Sequence, residues 1–234
     1  MNSFNNIVLN IPHSSISRYG EDWLGVYNLF PTVKRWTDWH TDLLFRPLND
    51  FSAYIKPIIF PYSRFFCDVE RLYENEPLEE IGQGIVYNKF DGFVKVISVN
   101  KKANILLNIY TPHINEIKRE LLNSDNSLLI DCHSFPSDLS DIDICIGYND
   151  DWSKPSDEVL DFVVSTFKDN GYKVGLNVPY SNSLSPKIDG KTYSSFMIEV
   201  NKRCYMYEDN LELKTFSFTK LQRLINKIYL SLLK

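Results

Sequence analysis

Apolar positions along this chain follow two rhythms. Short, nearly continuous apolar runs at residues 7–11, 53–60, 64–69, 127–132, 143–147, 173–178 and 194–200 predict strands. Between them the apolar residues fall at helical spacing. Thr37 is the expected cap of a helix running from Asp38 towards Phe51, and a long helical pattern covers residues 100–122. From Ser156 onward Val159, Val163 and Phe167 form one stripe with Leu160 and Val164 beside it. A C-terminal helix would bury Leu221, Leu224, Ile225, Ile228 and Leu232. Strands alternating with amphipathic helices predict an α/β fold: a three-layer sandwich with a mixed central sheet and helices on both faces. No repeat or Gly/Ser linker interrupts residues 1–234, so a single domain is the simplest expectation.

Composition narrows the class. The chain has 234 residues, 44% hydrophobic and 14% aromatic, enough for a conventional core. Its 25 basic and 30 acidic residues leave a net charge of -5 with no block of like charge, which argues against a general nucleic-acid surface. No apolar run approaches the ~20 residues that span a bilayer. The opening MNSFNNIVLNIP has neither a basic nor a long apolar leader segment, so a soluble, cytoplasmic protein is expected. Cys67, Cys132, Cys145 and Cys204 are scattered through apolar segments without a CxxC pair, and read as buried free thiols.

Histidine is scarce, and its placement points to chemistry. His13 follows the first strand, in NIPHSS, and His133 follows the apolar strand of LLIDCHSF. Ligands of open α/β sheets bind at strand ends, and two imidazoles there suit a metal. A catalytic zinc site needs a third protein ligand, and TDWHTD offers Asp38, His40 and Asp42. On a helix Asp38 and Asp42 would share a face while His40 points roughly the other way. Glu199, inside the apolar strand SSFMIEVN, must be paired, hydrated or used, and near an activated water it would be a general base. Asp131 is expected on the opposite side of its strand from His133, and His113 on the packing stripe of Ile109, Ile117 and Leu121. Pro112 should bend or interrupt that helix.

A resemblance extends this reading. IPHSS, TDWHTDLLF, YSRFFCDVER, the Y-x-P-H of IYTPH, LLIDCHSFPS, DICIGYND, GYKVGLNVPYS and FMIEVNKRCYM run in order over nearly the whole chain. Together they resemble the N-formylglutamate amidohydrolase family, which is similar to the zinc carboxypeptidases in fold and site. The resemblance implies Zn(2+) held by His13, Asp38 and His133, with Asp42 and His40 as alternatives for the middle position, and Glu199 as general base. It implies Arg64 and Arg71 near a substrate carboxylate, with His40, His113 and Asn177 on the substrate side. The chain departs from the pattern at Ile16, where carboxypeptidases carry a glutamate, at Glu70, where many members have asparagine, and at Ser181-Asn182-Ser183, where Gly-Gly is common. These departures fall mainly in substrate-facing parts.

The implied activity is zinc-dependent hydrolysis of the N-acyl amide of a small acidic amino acid, with N-formyl-L-glutamate as the leading substrate. A zinc amidase or carboxypeptidase-like hydrolase of another N-acyl amino acid or short peptide, and a non-catalytic ligand-binding relative, are the alternatives. The partner expected is a small molecule, with no nucleic acid and no membrane; oligomeric state is left open.

Overall fold

The structure is a computed structural model in which residues 3–17, 30–48, 53–74, 76–91 and 93–233 are described. In chain order the elements are β1 (Asn6–Ile11), α1 (Phe30–Trp36), α2 (Thr41–Leu44) and β2 (Ile55–Ile59), followed by a small hairpin of β3 (Lys89–Phe90) and β4 (Phe93–Val94). Next come α3 (Val99–Ile105), α4 (Thr111–Leu122), β5 (Ser127–Phe135), β6 (Ile144–Gly147), α5 (Asp157–Asp169), β7 (Val174–Leu176), β8 (Ser194–Asn201) and α6 (Thr215–Leu232).

Six strands form one sheet in the order β2-β1-β5-β8-β6-β7. All neighbours run parallel except β6 and β8, so the sheet is mixed, as the alternation of elements predicts. Every residue of β1 and β5 is buried, which is why they read as unbroken apolar runs and not as alternating ones. Leu9, Ile130 and Ile198 face a core closed by α5 and α6. Val8 and Leu129, on the opposite face, pack with Ile114, Ile117 and Leu121 of α4. Helices thus cover both faces. Among the described residues no helix is long and apolar enough to cross a membrane.

Two local expectations are corrected. Residues 64–69 form turns, not a strand: Phe66 and Cys67 donate backbone N–H to Ser63 O at 2.9 and 3.2 Å. The run is apolar because Phe65 packs in one apolar cluster and Phe66, Cys67 and Val69 in another. Nor does one helix start at Asp38. Helix α1 ends at Trp36, His40 takes a left-handed φ of 64°, and only Thr41–Leu44 is helical again; the end near Phe51 lies outside the described residues. The long helix is α3 and α4 joined by a π-helical turn at Leu106–Tyr110, with Pro112 in the first turn of α4, where its missing N–H is tolerated.

The core makes a direct stability test. Ile198 is fully buried, so Ile198→Ala should cost about 2–5 kcal/mol, read as a lower denaturation midpoint. Val96, 99% exposed, should tolerate alanine within about 0.5 kcal/mol.

Candidate active site

Parallel register determines which side chains meet. His133 on β5 pairs with Glu199 on β8, and Asp131 pairs with Met197, so these side chains rise from one face of the sheet. Asn10 on β1 pairs with Asp131 and joins the same row. The sequence-based placement of Asp131 is therefore wrong: residues two apart on a strand share a face. His133 is also inside β5, not beyond it.

Asp38 reaches the row through backbone pairing. Its N–H donates to His13 O at 3.0 Å, and its carbonyl accepts from Thr41 Oγ1 at 2.8 Å, which holds the α1–α2 connection against the end of β1. Asp38 Oδ2 then lies 3.2 Å from His133 Nδ1 and 3.7 Å from His13 Nδ1. His13, Asp38 and His133 are all buried and offer ligand atoms within 4.8 Å of one another. Neither Asp42 nor His40 joins them: Asp42 lies in the first turn of α2, and His40 Nε2 is bonded to Leu211 O at 2.8 Å.

The far side of each imidazole is held by a carboxylate. His13 Nε2 donates to Asp68 Oδ1 at 2.8 Å, which leaves Nδ1 as the lone-pair nitrogen turned towards Asp38. Among the described residues His13 Nδ1 and Glu199 Oε2 are buried with no hydrogen-bond partner, as expected of atoms arranged for a missing partner. His133 Nε2 lies 3.1 Å from Asp131 Oδ1 and 3.5 Å from Glu70 Oε2. Carboxylates behind imidazoles orient them and raise their basicity, an arrangement common at metal-binding histidines.

Electrostatics follow from burial and these partners. Burial alone would raise the Asp38 carboxyl, but hydrogen bonds and charge from His13 and His133 hold it well below the usual range. Burial likewise opposes a charged His133, yet Asp131 and Glu70 lift its pKa well above the ordinary value. Burial pushes Glu199 up to about 8, His133 opposing and Asp38 reinforcing the shift. Glu70 is pushed up to about 8 by burial and by Asp131.

Glu70, Asp131 and His133 form a second close group, already tied together by Asn10. Asn10 Nδ2 donates to Glu70 Oε1 at 2.6 Å and to Asp131 Oδ1 at 2.9 Å, while its Oδ1 lies 2.9 Å from His113 Nε2. Burial lowers the His113 pKa to about 4, so the neutral ring donates that bond. Asp131 Oδ2 accepts from Leu184 N–H at 3.1 Å.

A cavity of 1370 Å³ opens over the row and is lined by His13, Asp38, Arg64, Arg71, His133 and Glu199, among others. Three residues expected on the substrate side are not in its wall. His40 is turned to Leu211; His113 is buried edge-on against Phe60, 5.1 Å away; Asn177, at φ 53°, caps Tyr148 N–H at 2.9 Å. Arg71 is largely committed inside the fold, donating from Nε to Gln83 O at 2.9 Å and from Nη2 to Tyr87 hydroxyl at 3.0 Å. Arg64 donates from Nη2 to Asp68 Oδ2 at 3.1 Å and keeps Nε unpartnered. Sequence reading missed Asn10 and Asp68, although each is a polar residue inside an apolar run, the signal that singled out Glu199.

Two imidazoles and a buried carboxylate near the C-terminal ends of central parallel strands form an enzyme-like site in an open α/β sheet. The N-formylglutamate amidohydrolase family profile matches residues 5–206, and the chain belongs to that family of amide-cleaving hydrolases. The fold is shared with the N-formylglutamate amidohydrolase from Ralstonia eutropha JMP134, at TM-score 0.78 and 18% identity over 99% of this chain and 93% of that one. It is shared also with gene product Atu2144 from Agrobacterium tumefaciens, at TM-score 0.69 and 14% identity over 98% and 92%. No curated protein matches the sequence.

The Asn10 bridge is open to test. Asn10→Ala leaves buried acceptors on Glu70 and Asp131 without their donor, at about 1–3 kcal/mol each. A lower thermal midpoint is expected; an unchanged one would show that the bridge holds nothing.

Proposed function

We propose that this chain is a zinc-dependent amidohydrolase that cleaves the N-acyl amide of a small acidic amino acid, with N-formyl-L-glutamate, giving formate and L-glutamate, as the leading substrate. The observation that carries the reading is the convergence of His13 Nδ1, His133 Nδ1 and Asp38 Oδ2, with Glu199 in register beside His133. Two nitrogens and one carboxylate oxygen are a donor set that suits a catalytic zinc with one position left open. Bound there, zinc would polarise the acyl carbonyl and lower the pKa of the attacking water.

The chain's own residues supply the rest. Glu199, with an unpartnered oxygen and an affinity for protons raised by burial, accepts the proton of the attacking water and passes it to the leaving nitrogen. The C–N bond breaks as the new C–O bond forms, leaving a carboxylic acid and an amine. Asp68 and Asp131 keep the imidazoles aimed while this happens. Arg64, which lines the cavity, is better placed to hold a substrate carboxylate than Arg71, whose Nε is spent on Gln83 O.

One observation favours a broader substrate. Small-molecule pockets are typically ~300–1,000 Å³, and this cavity of 1370 Å³ exceeds that range. A larger N-acyl amino acid or a short acylated peptide would fill it better than N-formylglutamate.

Metal analysis of the purified protein, followed by hydrolysis assays on a panel of N-acyl amino acids and short N-formyl peptides, tests the reading. His13→Ala or His133→Ala should strip the metal, and Asp38→Ala should weaken its retention at least about tenfold, whereas Asp42→Ala should leave metal content unchanged. Equal metal content in all four would remove the proposed centre. Glu199→Gln should keep the metal and lower kcat by about 10²–10⁴-fold. A folded, metal-loaded variant with parental kcat would rule out its role as base. Arg64→Lys should raise KM for acidic substrates, because lysine cannot reproduce the guanidinium's fixed donor geometry. Arg71→Lys should mainly lower the thermal midpoint, and the reverse pattern would transfer the anchor to Arg71.

A further inference from the structure

The stretch EVNKRCYM, which opens with the proposed base Glu199, contributes two buried side chains that the chemistry above does not use. Lys202 is 1% exposed and Tyr205 is fully buried. A buried amine needs a partner, and Lys202 Nζ donates to Arg35 O in the last turn of α1. Burial pulls the Lys202 pKa down to about 8, with Arg64 acting in the same direction and Asp38, Glu208 and Glu199 opposing.

The backbone beside Asp38 needs donors from outside its own helices. Thr37 N–H closes the last helical turn of α1 on Val33 O at 3.0 Å, and the next N–H, that of Asp38, goes to His13 O instead. Among the described residues four hydrogen bonds join residues 34–40 to residues 202–211, two in each direction. Lys202 donates to Arg35 O, and the Tyr205 hydroxyl donates to Trp39 O at 2.8 Å. Lys34 Nζ donates to Asp209 O at 2.6 Å, and His40 Nε2 to Leu211 O at 2.8 Å. Asp38 lies between the two carbonyls held by Lys202 and Tyr205. Glu208 of the same segment accepts from Ser137 N–H at 3.2 Å, just beyond β5, the strand of His133. The segment is itself fixed: Asn201 Oδ1 accepts from Arg203 N–H at 3.1 Å, and Tyr207 N–H bonds Glu212 O at 2.8 Å. One stretch of chain, continuous with β8 and Glu199, thus grips both the Asp38 connection and the end of β5.

We propose that residues 202–211 are the template that seats Asp38, with Lys202 and Tyr205 as positioning residues: by holding the carbonyls of Arg35 and Trp39 they keep the Asp38 carboxylate against His13 and His133. That this seating serves a metal ion rests on the zinc reading above. The arrangement also gives His40 a part, as one of the four bonds.

The test compares the full chain with Tyr205→Phe and Lys202→Met, which remove a donor and keep most of the buried volume. Tyr229→Phe is the matched control, because the Tyr229 hydroxyl is equally buried and donates to a backbone carbonyl elsewhere, Phe45 O at 3.2 Å. Two quantities are read: amide hydrogen exchange at Asp38, and the affinity of chelator-treated protein for Zn(2+) alone. Tyr205→Phe and Lys202→Met should each speed Asp38 exchange about two- to tenfold and weaken Zn(2+) binding about tenfold, with Tyr229→Phe changing neither. Unchanged exchange at Asp38 overturns the proposal, and so does an equal effect of Tyr229→Phe, which would make the bonds ordinary packing. Parental Zn(2+) affinity in both variants overturns it too. If the unaltered chain binds no Zn(2+), the zinc reading falls, and the exchange at Asp38 alone decides the seating. Should Lys202→Met fail to fold, Tyr205→Phe, which deletes one hydroxyl, decides by the same outcomes.

Discussion

The site depends on one buried carboxylate, Asp68. It accepts hydrogen bonds from His13 Nε2, Arg64, Tyr87 and the Glu70 backbone N–H, and Arg71 lies 3.4 Å away. Burial alone would raise its pKa, but Arg71, His13 and Arg64 hold it well below the carboxylate range. An ion so enclosed persists only because nearly every lone pair has a donor. The same bonds determine which nitrogen of His13 faces Asp38 and where the two guanidiniums stand. The imidazole cluster and the cavity wall are therefore two sides of one ionic group.

Asn10 plays the matching part beneath His133. A fully buried amide between two carboxylates separates their charges and joins them to neutral His113. Burial and Asp131 raise Glu70, while His133 holds Asp131 low against burial, so Glu70 is the weaker acid of the two. The Glu70 carboxyl, a departure from the family pattern, is thereby turned inward and does not offset Arg71. Rigid partners behind both imidazoles reduce the reorganisation that ligand binding would otherwise require.

Strands buried on both faces, amphipathic helices and their alternation were legible in the sequence because each is a local consequence of side-chain periodicity. His13, His133 and Glu199 were legible because a polar group in or beside a strongly apolar strand must have a reason to be there. Asp38 was legible only as one of three possibilities in TDWHTD, and family resemblance made the choice. A helical reading of that segment grouped Asp38 with Asp42, whereas the backbone bond from Asp38 to His13 breaks the helix and separates them. Residues 64–69 misled as well, since turns buried against two clusters give the same unbroken apolar run as a buried strand.

By itself the sequence determined the element types, the mixed α/β class and the residues able to carry chemistry, since these depend on residue type and short-range spacing. Tertiary structure decided the partnerships. Strand register placed Asn10, Asp131, His133 and Glu199 in one row, and chain crossings brought Asp68 behind His13 and Arg64 into the wall with Trp36. It also turned His40, His113 and Asn177 away from the cavity by giving each a nearer hydrogen-bond partner. Such contacts join residues far apart in the chain, and their energies depend on burial and geometry that exist only once the sheet has formed.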